Sequence, residues 1–259
     1  GSEMCIRDRF YTVADFESFD SKSRTWKLKD GVVDSSPLSD TPRPGNAKFK
    51  KLTPVDPNST NPYQLTEADR TVIGNTTPKF SGGFGLNATY KGFDMSMFFN
   101  FMYDFDVLNA NKIMLTTWAD NKENNFLMDI ASDKRWRNFD DMGNEIRYSP
   151  EILAEFNKNA TMWNPTSIGR PICMSYAVED GSFLRLNSAT LGYTLPSVWT
   201  KKVGLSKVRF YVSGNNLFTL TGYSGYDPEV NIATGLTPNI DYDRYPRSRT
   251  YTFGAQLTF

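Results

Sequence analysis

The sequence has no histidine among its 259 residues. That absence removes the Ser-His-Asp and Cys-His nucleophile systems and every histidine-containing zinc site from this chain. Its two cysteines, Cys5 and Cys173, make neither a metal site nor a disulfide framework. Charge of one sign is lacking too: 29 Lys and Arg meet 29 Asp and Glu. Neither a basic excess for nucleic acid nor an acidic tail is present, so no nucleic-acid partner is expected. No apolar run approaches the roughly 20 residues of a transmembrane helix, and no charged, then apolar, then small-residue leader is found. Barrel strands give a much weaker hydropathy signal, so the missing helix does not exclude a membrane. The missing leader means either a cytosolic chain or a piece of something longer.

What the chain has in quantity is rings: 19 Phe and 13 Tyr, with aromatics at 14% and yet a mean hydropathy of -0.48. Strands with one apolar and one polar face, joined by long polar loops, give that combination. The segment from Arg249 to Phe259 shows the unit most clearly. Tyr251, Phe253, Ala255, Leu257 and Phe259 fall on one face of an extended chain, and Thr250, Thr252, Gly254, Gln256 and Thr258 on the other. Its length suits a strand of about 9–11 residues crossing a bilayer in a barrel wall.

The same alternation opens at Phe80 with Phe84, Leu86, Ala88 and Tyr90, turns at Lys91-Gly92, and returns through Phe93, Met95, Met97, Phe99, Phe101 and Tyr103. A third strand is expected over Ser182 to Leu195. Its phase slips near Asn187-Ser188, which predicts a β-bulge. A fourth strand is expected over Lys207 to Thr219, and the segment from Arg249 is the fifth. Connections alternate short (Lys91-Gly92, 196–206) and long (105–181, 220–248), as in outer-membrane barrels with periplasmic turns and extracellular loops. Five strands do not close a barrel, which needs about eight. The expected fold is therefore all-β, part of a larger barrel.

Upstream, residues 1–9 fit neither period and read as a non-native, artefactual head or as a genuine loop. Residues 10–79 read as an extracellular loop region, broken by Pro37, Pro42, Pro44, Pro54, Pro57 and Pro62, with no core up to Ile73. A short hairpin is expected over Thr25 to Val33 around Asp30-Gly31, and a short helix near Pro150 to Lys158. Residues 80–259 read as barrel strands with their loops.

Several motifs occur in order: Glu67-Ala-Asp-Arg-Thr-Val-Ile-Gly74 with Pro78-Lys-Phe80, Val178 through Leu186, Thr190-Leu-Gly-Tyr-Thr-Leu-Pro196, Val208 through Phe218, Gly225-Tyr-Asp-Pro-Glu-Val230, and Tyr245 through Phe253. Together they resemble the C-terminal region of the SusC/RagA family of TonB-linked outer-membrane transporters of Bacteroidetes. The resemblance implies a 22-stranded barrel with a plug, of which this chain supplies about the last five strands. It implies import of oligosaccharides or peptides with the TonB complex, a SusD-like surface lipoprotein over the barrel, and outer-membrane lipid around it. It implies no enzymatic step and no cofactor. The family often carries a calcium-loop-like Asp-x-Asn-x-Asp-Gly before the position of Asp69-Arg70. Lys50 to Thr60 here has too few spaced carboxylates for six or more oxygen ligands, so no metal is placed there.

Site candidates follow. Trp118, Trp136 and Trp163 in the long loop, with Tyr223 and Tyr226, could stack on sugar rings or pack the loops. Asn100, Arg185, Arg209, Tyr211 and Asn215 would line the lumen, touching plug or substrate or only holding water. Phe259 with Tyr251, Phe253 and Leu257 resembles the C-terminal signal read by the barrel assembly machinery, or contacts lipid alone. The carboxylate pairs Asp140-Asp141, Asp227 with Glu229, and Asp241 with Asp243 read as solvated loop charge, and Asp227-Pro228-Glu229 as a loop-structuring motif. Gly83-x-Gly85-x-x-Ala88 matches a dinucleotide fingerprint but lies inside a strand with no helix after it. Alternative functions are a passive porin or adhesin barrel, and a secreted glycan-active β-sandwich enzyme.

Overall fold

The computed structural model describes residues 7–117, 125–167, 172–230, 239–242 and 245–259. The chain divides into two compact units, residues 74–108 with 179–259 and residues 1–73 with 109–178.

The first of these is a sheet of five antiparallel strands: β1 (Phe80–Tyr90), β2 (Phe93–Tyr103), β3 (Phe183–Thr194), β4 (Lys207–Thr221) and β5 (Thr250–Thr258). Each strand pairs with the next in sequence, so the order in space is the order in the chain. The turn between β1 and β2 has positive φ at both residues, 46° at Lys91 and 89° at Gly92. That mirror-image geometry matches the right-handed twist of the strands it joins.

Cross-strand register carries each side-chain face through the whole sheet. Leu86 sits opposite Met97, then Ala189, Gly214 and Tyr251. One residue along, Asn87 sits opposite Ser96, then Thr190, Ser213 and Thr252. The expected bulge is present: Phe98 pairs with Ser188 and Phe99 with Leu186, which leaves Asn187 over. The extra residue restores Leu184 and Leu186 to the face that carries Ala189, Leu191 and Tyr193. The adjoining strand is irregular at the same level, where Asn215 and Phe218 bracket two unpaired residues and Asn216 adopts φ 53°. Beyond the sheet, a small apolar cluster gathers Phe105, Val107, Phe183, Tyr223 and Val230.

In the second unit the structure differs from expectation. Residues 10–73 are not a coreless loop: Phe10, Leu38, Phe49 and Leu65 are buried together with Ile130, Trp136, Leu153, Trp163 and Met174. The prolines erase any sequence period, and the core is assembled from single apolar residues between turns. Regular structure here is brief. Arg7–Phe10 pairs with Ala47–Phe49, so residues 7–9 take part in a strand, and Pro150–Phe156 forms the expected short helix. The hairpin lies upstream of its expected place, Phe16–Asp20 against Thr25–Leu28. Asp20 decides this turn by accepting from the Lys22 N–H at 2.9 Å and the Ser23 hydroxyl at 2.6 Å, with Arg24 at φ 55°. Gly45, at φ 90°, packs its bare Cα against the Trp136 ring, where a side chain would collide.

Asp69 ties the proline-rich segment together. Its carboxylate accepts from the N–H of Leu52 (2.8 Å), Thr53 (2.7 Å) and Thr66 (2.8 Å) and from the hydroxyls of Thr53 (2.8 Å) and Thr66 (3.2 Å). Lys51 Nζ lies 3.5 Å away. Burial alone would raise this carboxyl, but the converging donors outweigh it and hold it far below the usual carboxylate range. A depressed folded value means that the stabilisation is complete above about pH 4, the unfolded carboxylate value, and is lost as pH falls through the folded one. Asp69→Asn is expected to cost about 2–3 kcal/mol at pH 7. The gap from the parent should narrow steadily in melts followed by tryptophan fluorescence below about pH 4. A gap independent of pH would show that the charge is not the source.

Candidate functional site

The polar face of the sheet carries long side chains laid across glycines. Asp94 on β2 sits opposite Gly192 on β3, which sits opposite Tyr211 on β4, which sits opposite Gly254 on β5. With no side chain at Gly192, Arg209 reaches over β3 to Asp94 in a two-pronged bond, Nε to Oδ1 at 2.9 Å and Nη2 to Oδ2 at 2.5 Å. A Cβ on Gly192 would stand 2.6 Å from Asp94 Oδ1, so only glycine admits the pair. Tyr211 covers Gly254 in the same way, and the Arg209 guanidinium lies 5.2 Å from the Tyr211 ring. Arg209 and Tyr211, placed on one face by alternation, are thus brought together.

Arg185 is on that face but does not line an open space. It is 2% exposed, paired with Asp227, and its Nε lies 3.6 Å from Glu229. Glu229 also takes Arg247 at 2.7 Å, and Asp227 accepts the Glu229 N–H at 2.9 Å. The Asp227-Pro228-Glu229 segment therefore clamps its loop onto the sheet. Asn100, opposite Arg185 on β2, has a buried Oδ1 without a hydrogen-bond partner. Asn215 pairs in register with Thr250.

The aromatic candidates separate. Tyr223 is buried and donates its hydroxyl to Asp241 at 2.6 Å; burial first, then that carboxylate, push its phenol above the usual range. Tyr226 is 83% exposed. Trp136 and Trp163 are 3% and 0% exposed and lie in the apolar core, so of the two roles open to them, stacking on sugars or packing the loops, the structure shows packing. Rings carry the largest apolar area, so burying them contributes most to a core. Trp118 and Asp243 lie outside the described residues. The remaining carboxylates are occupied: Asp140 caps a turn through the N–H groups of Met142 and Asn144, and Asp141 pairs with Arg137 at 2.8 Å. Among the described residues no group of three or more metal-ligating side chains occurs.

Sequence reasoning missed a set of arginines in the other unit: Arg24, Arg43, Arg135 and Arg147 around two cavities. The one available signal was basic residues beside rings, as in Arg135-Trp136-Arg137 and Arg147-Tyr148.

The opposite face of the sheet is apolar and uncovered. Phe84, Leu86, Phe210, Tyr251, Phe253 and Leu257 are 44–79% exposed, and Phe259 is 89% exposed. No helix among the described residues is long and apolar enough to cross a membrane, which says nothing of strands.

No family model matches the chain. Over 202 residues it is 35% identical to TonB-dependent receptor P3 of Formosa agariphila, a match covering 76% of this chain and 18% of the receptor. Over 88 residues it is 36% identical to TonB-dependent receptor SusC of Bacteroides thetaiotaomicron, covering 32% of this chain and 8% of SusC. The solved RagAB peptide transporter superposes with a TM-score of 0.54 at 25% identity, over 83% of this chain and 21% of that one. The chain belongs to the SusC/RagA family of TonB-dependent receptors. The matched stretch spans 18% of the P3 receptor, 8% of SusC and 21% of the RagAB chain. In a SusC/RagA receptor the five-stranded sheet is a section of the barrel wall, and its bare apolar face is the lipid-facing side.

Leu86→Arg should cost the intact receptor about 2–4 kcal/mol in a bilayer, while Asn87→Arg, one residue along on the polar face, should cost under about 1 kcal/mol. Urea titrations of barrel mobility on gels measure both. Equal costs would contradict the facing. Arg185→Met should leave Asp227 buried without a cation and Glu229 with Arg247 alone, a loss of about 3–5 kcal/mol confined to the clamped loop. Hydrogen exchange should then rise at residues 222–230 and not in β1 and β2.

Proposed function

We propose that this chain forms the C-terminal wall strands and outer loops of a TonB-dependent importer in the outer membrane, working with a SusD-like lipoprotein. The observation that carries this reading is the sheet. Five strands of 9–15 residues share one continuous apolar face and one mainly polar face, interrupted at Phe98 and Met102. A lipid bilayer suits the first face and a water-filled lumen the second. The edge strands β1 and β5 need partners, which the remaining wall of a closed barrel would supply. Short connections then face the periplasm and long ones the exterior, where Tyr226 and the second unit would meet cargo or lipoprotein.

On the lumen side, Arg209, Asp94 and Tyr211 form a fixed polar ladder that suits contact with a plug or with passing solute. Phe259, with Tyr251, Phe253 and Leu257 on the lipid side, serves as the strand that the assembly machinery recognises. The cargo is an oligosaccharide or a peptide; RagAB, the structural neighbour, is a peptide transporter.

Outer-membrane fractionation of the intact gene product, followed by detergent extraction and capture of co-purifying lipoprotein, tests the proposal. Recovery from that membrane with a lipoprotein attached is the expected result. A product soluble without detergent would overturn the barrel assignment, and a membrane-borne product that needs no TonB for uptake would mark a passive porin.

A further inference from the structure

The unit made of residues 1–73 and 109–178 holds two cavities, of about 300 and 330 Å³, that share Asn138, Arg147 and Thr166 in their walls. Among the described residues five arginines line them, Arg24, Arg43 and Arg147 in one, Arg135, Arg137 and Arg147 in the other, against two lining carboxylates, Asp40 and Asp140. The chain as a whole has a net charge of zero, so this excess is local segregation. Arg147 is paired with Glu145 at 2.5 Å and Arg137 with Asp141 at 2.8 Å. Arg24, Arg43 and Arg135 have no carboxylate within 4.0 Å among the described residues. Asp140 is already used by its turn.

Two of the arginines, Arg24 and Arg147, are held by rings that line or border the cavities. Arg24 lies 4.8 Å from the centre of the Tyr148 ring, and Arg147 lies 5.8 Å from Tyr148 and 5.4 Å from Phe139. Stacking on a ring fixes a guanidinium plane while leaving its edge, the two-pronged donor, turned to other partners. Two further signs point the same way. Burial, and then the neighbouring Arg137, lower the pKa of Arg135, as expected of a cation without compensation. Trp136, in the wall of the second cavity, has a buried Nε1–H with no acceptor. What these cavities leave unsatisfied is thus donors and positive charge.

We infer that this cleft binds an acidic oligosaccharide, with carboxylate or sulfate groups on Arg24, Arg43 and Arg135. Guanidinium forks match both anions with paired bonds. A sugar chain brings acceptors in excess and hydroxyls that both donate and accept, for which the Asn138 amide and the Thr41 hydroxyl are suited. A peptide fits less well: each residue adds an N–H that needs an acceptor, and of the two lining carboxylates Asp140 is already taken by its own turn. The inference uses the importer reading for its physiological role, not for binding itself.

Calorimetry on the intact, detergent-purified receptor tests it with four probes of equal length: tetragalacturonate, a sulfated dextran tetrasaccharide, maltotetraose and tetraglutamate. Tetragalacturonate or the sulfated sugar should bind at least tenfold more tightly than maltotetraose and than tetraglutamate. Which of the two binds tells carboxylate from sulfate. Arg43→Gln and Arg135→Gln should each weaken that binding about tenfold, the value of one charge-assisted bond. Melting temperatures should hold, since neither arginine has an ion pair to lose. Tighter binding of tetraglutamate would assign the cleft to peptides. Equal binding of maltotetraose, unchanged affinity in both variants, or no binding at all would each overturn the inference. If binding fails while the receptor still sits in the outer membrane with its lipoprotein, only this inference falls. If binding holds but the product is soluble, only the importer reading falls.

Discussion

Everything in the wall depends on keeping five strands in phase. A strand alternates its side chains with period two, so a single-residue slip would turn its rings into the lumen and its threonines into lipid. In β3 that slip exists in the sequence, between Leu186 and Ala189, and the unpaired Asn187 absorbs it. The row Tyr90, Phe93, Tyr193, Phe210 and Ala255 and the row Phe84, Phe99, Leu186 and Phe218 can then lie on the same face. In a bilayer this is a condition of existence, because backbone groups and polar side chains there find no water.

The polar face obeys a second constraint, space. Arg209 and Tyr211 are long, and they lie flat because Gly192 and Gly254 stand opposite or beside them. Glycine in a strand interior normally weakens it; here it makes room for a salt bridge that spans β2 to β4 and for a ring that covers the bare backbone. At the other end of the sheet, the same need to neutralise a buried guanidinium sets the loop. Arg185 is stranded on the face unless Asp227 and Glu229 come to it, so a charge on the wall determines where a loop sits.

The second unit shows what long connections become when they are not allowed to stay loose. Two stretches far apart in the chain share one core around Trp163, whose Nε1–H donates to the Thr116 carbonyl at 3.2 Å. With most of its rings spent on packing, this unit braces the cations Arg24 and Arg147 on the less buried rings Tyr148 and Phe139.

Local rules made the wall legible in the sequence. The β1–β2 hairpin, its Lys91-Gly92 turn, the bulge at Asn187 and the apolar face ending in Phe259 each depend on residues within a few positions of one another, and the pleat dictates where they point. The helix at Pro150–Phe156 was visible for the same reason. Tertiary structure alone decided the rest. Arg185 looked like a lumen residue because its partner Asp227 is 42 positions away. For Trp136 and Trp163 the sequence left stacking and packing equally open, because the core they join also takes in Phe10, Leu38 and Leu65, across a proline-rich stretch with no period to betray a core. Period and turn chemistry are properties of the local chain, whereas burial and charge pairing follow from which distant segments the closed fold brings within a few ångströms.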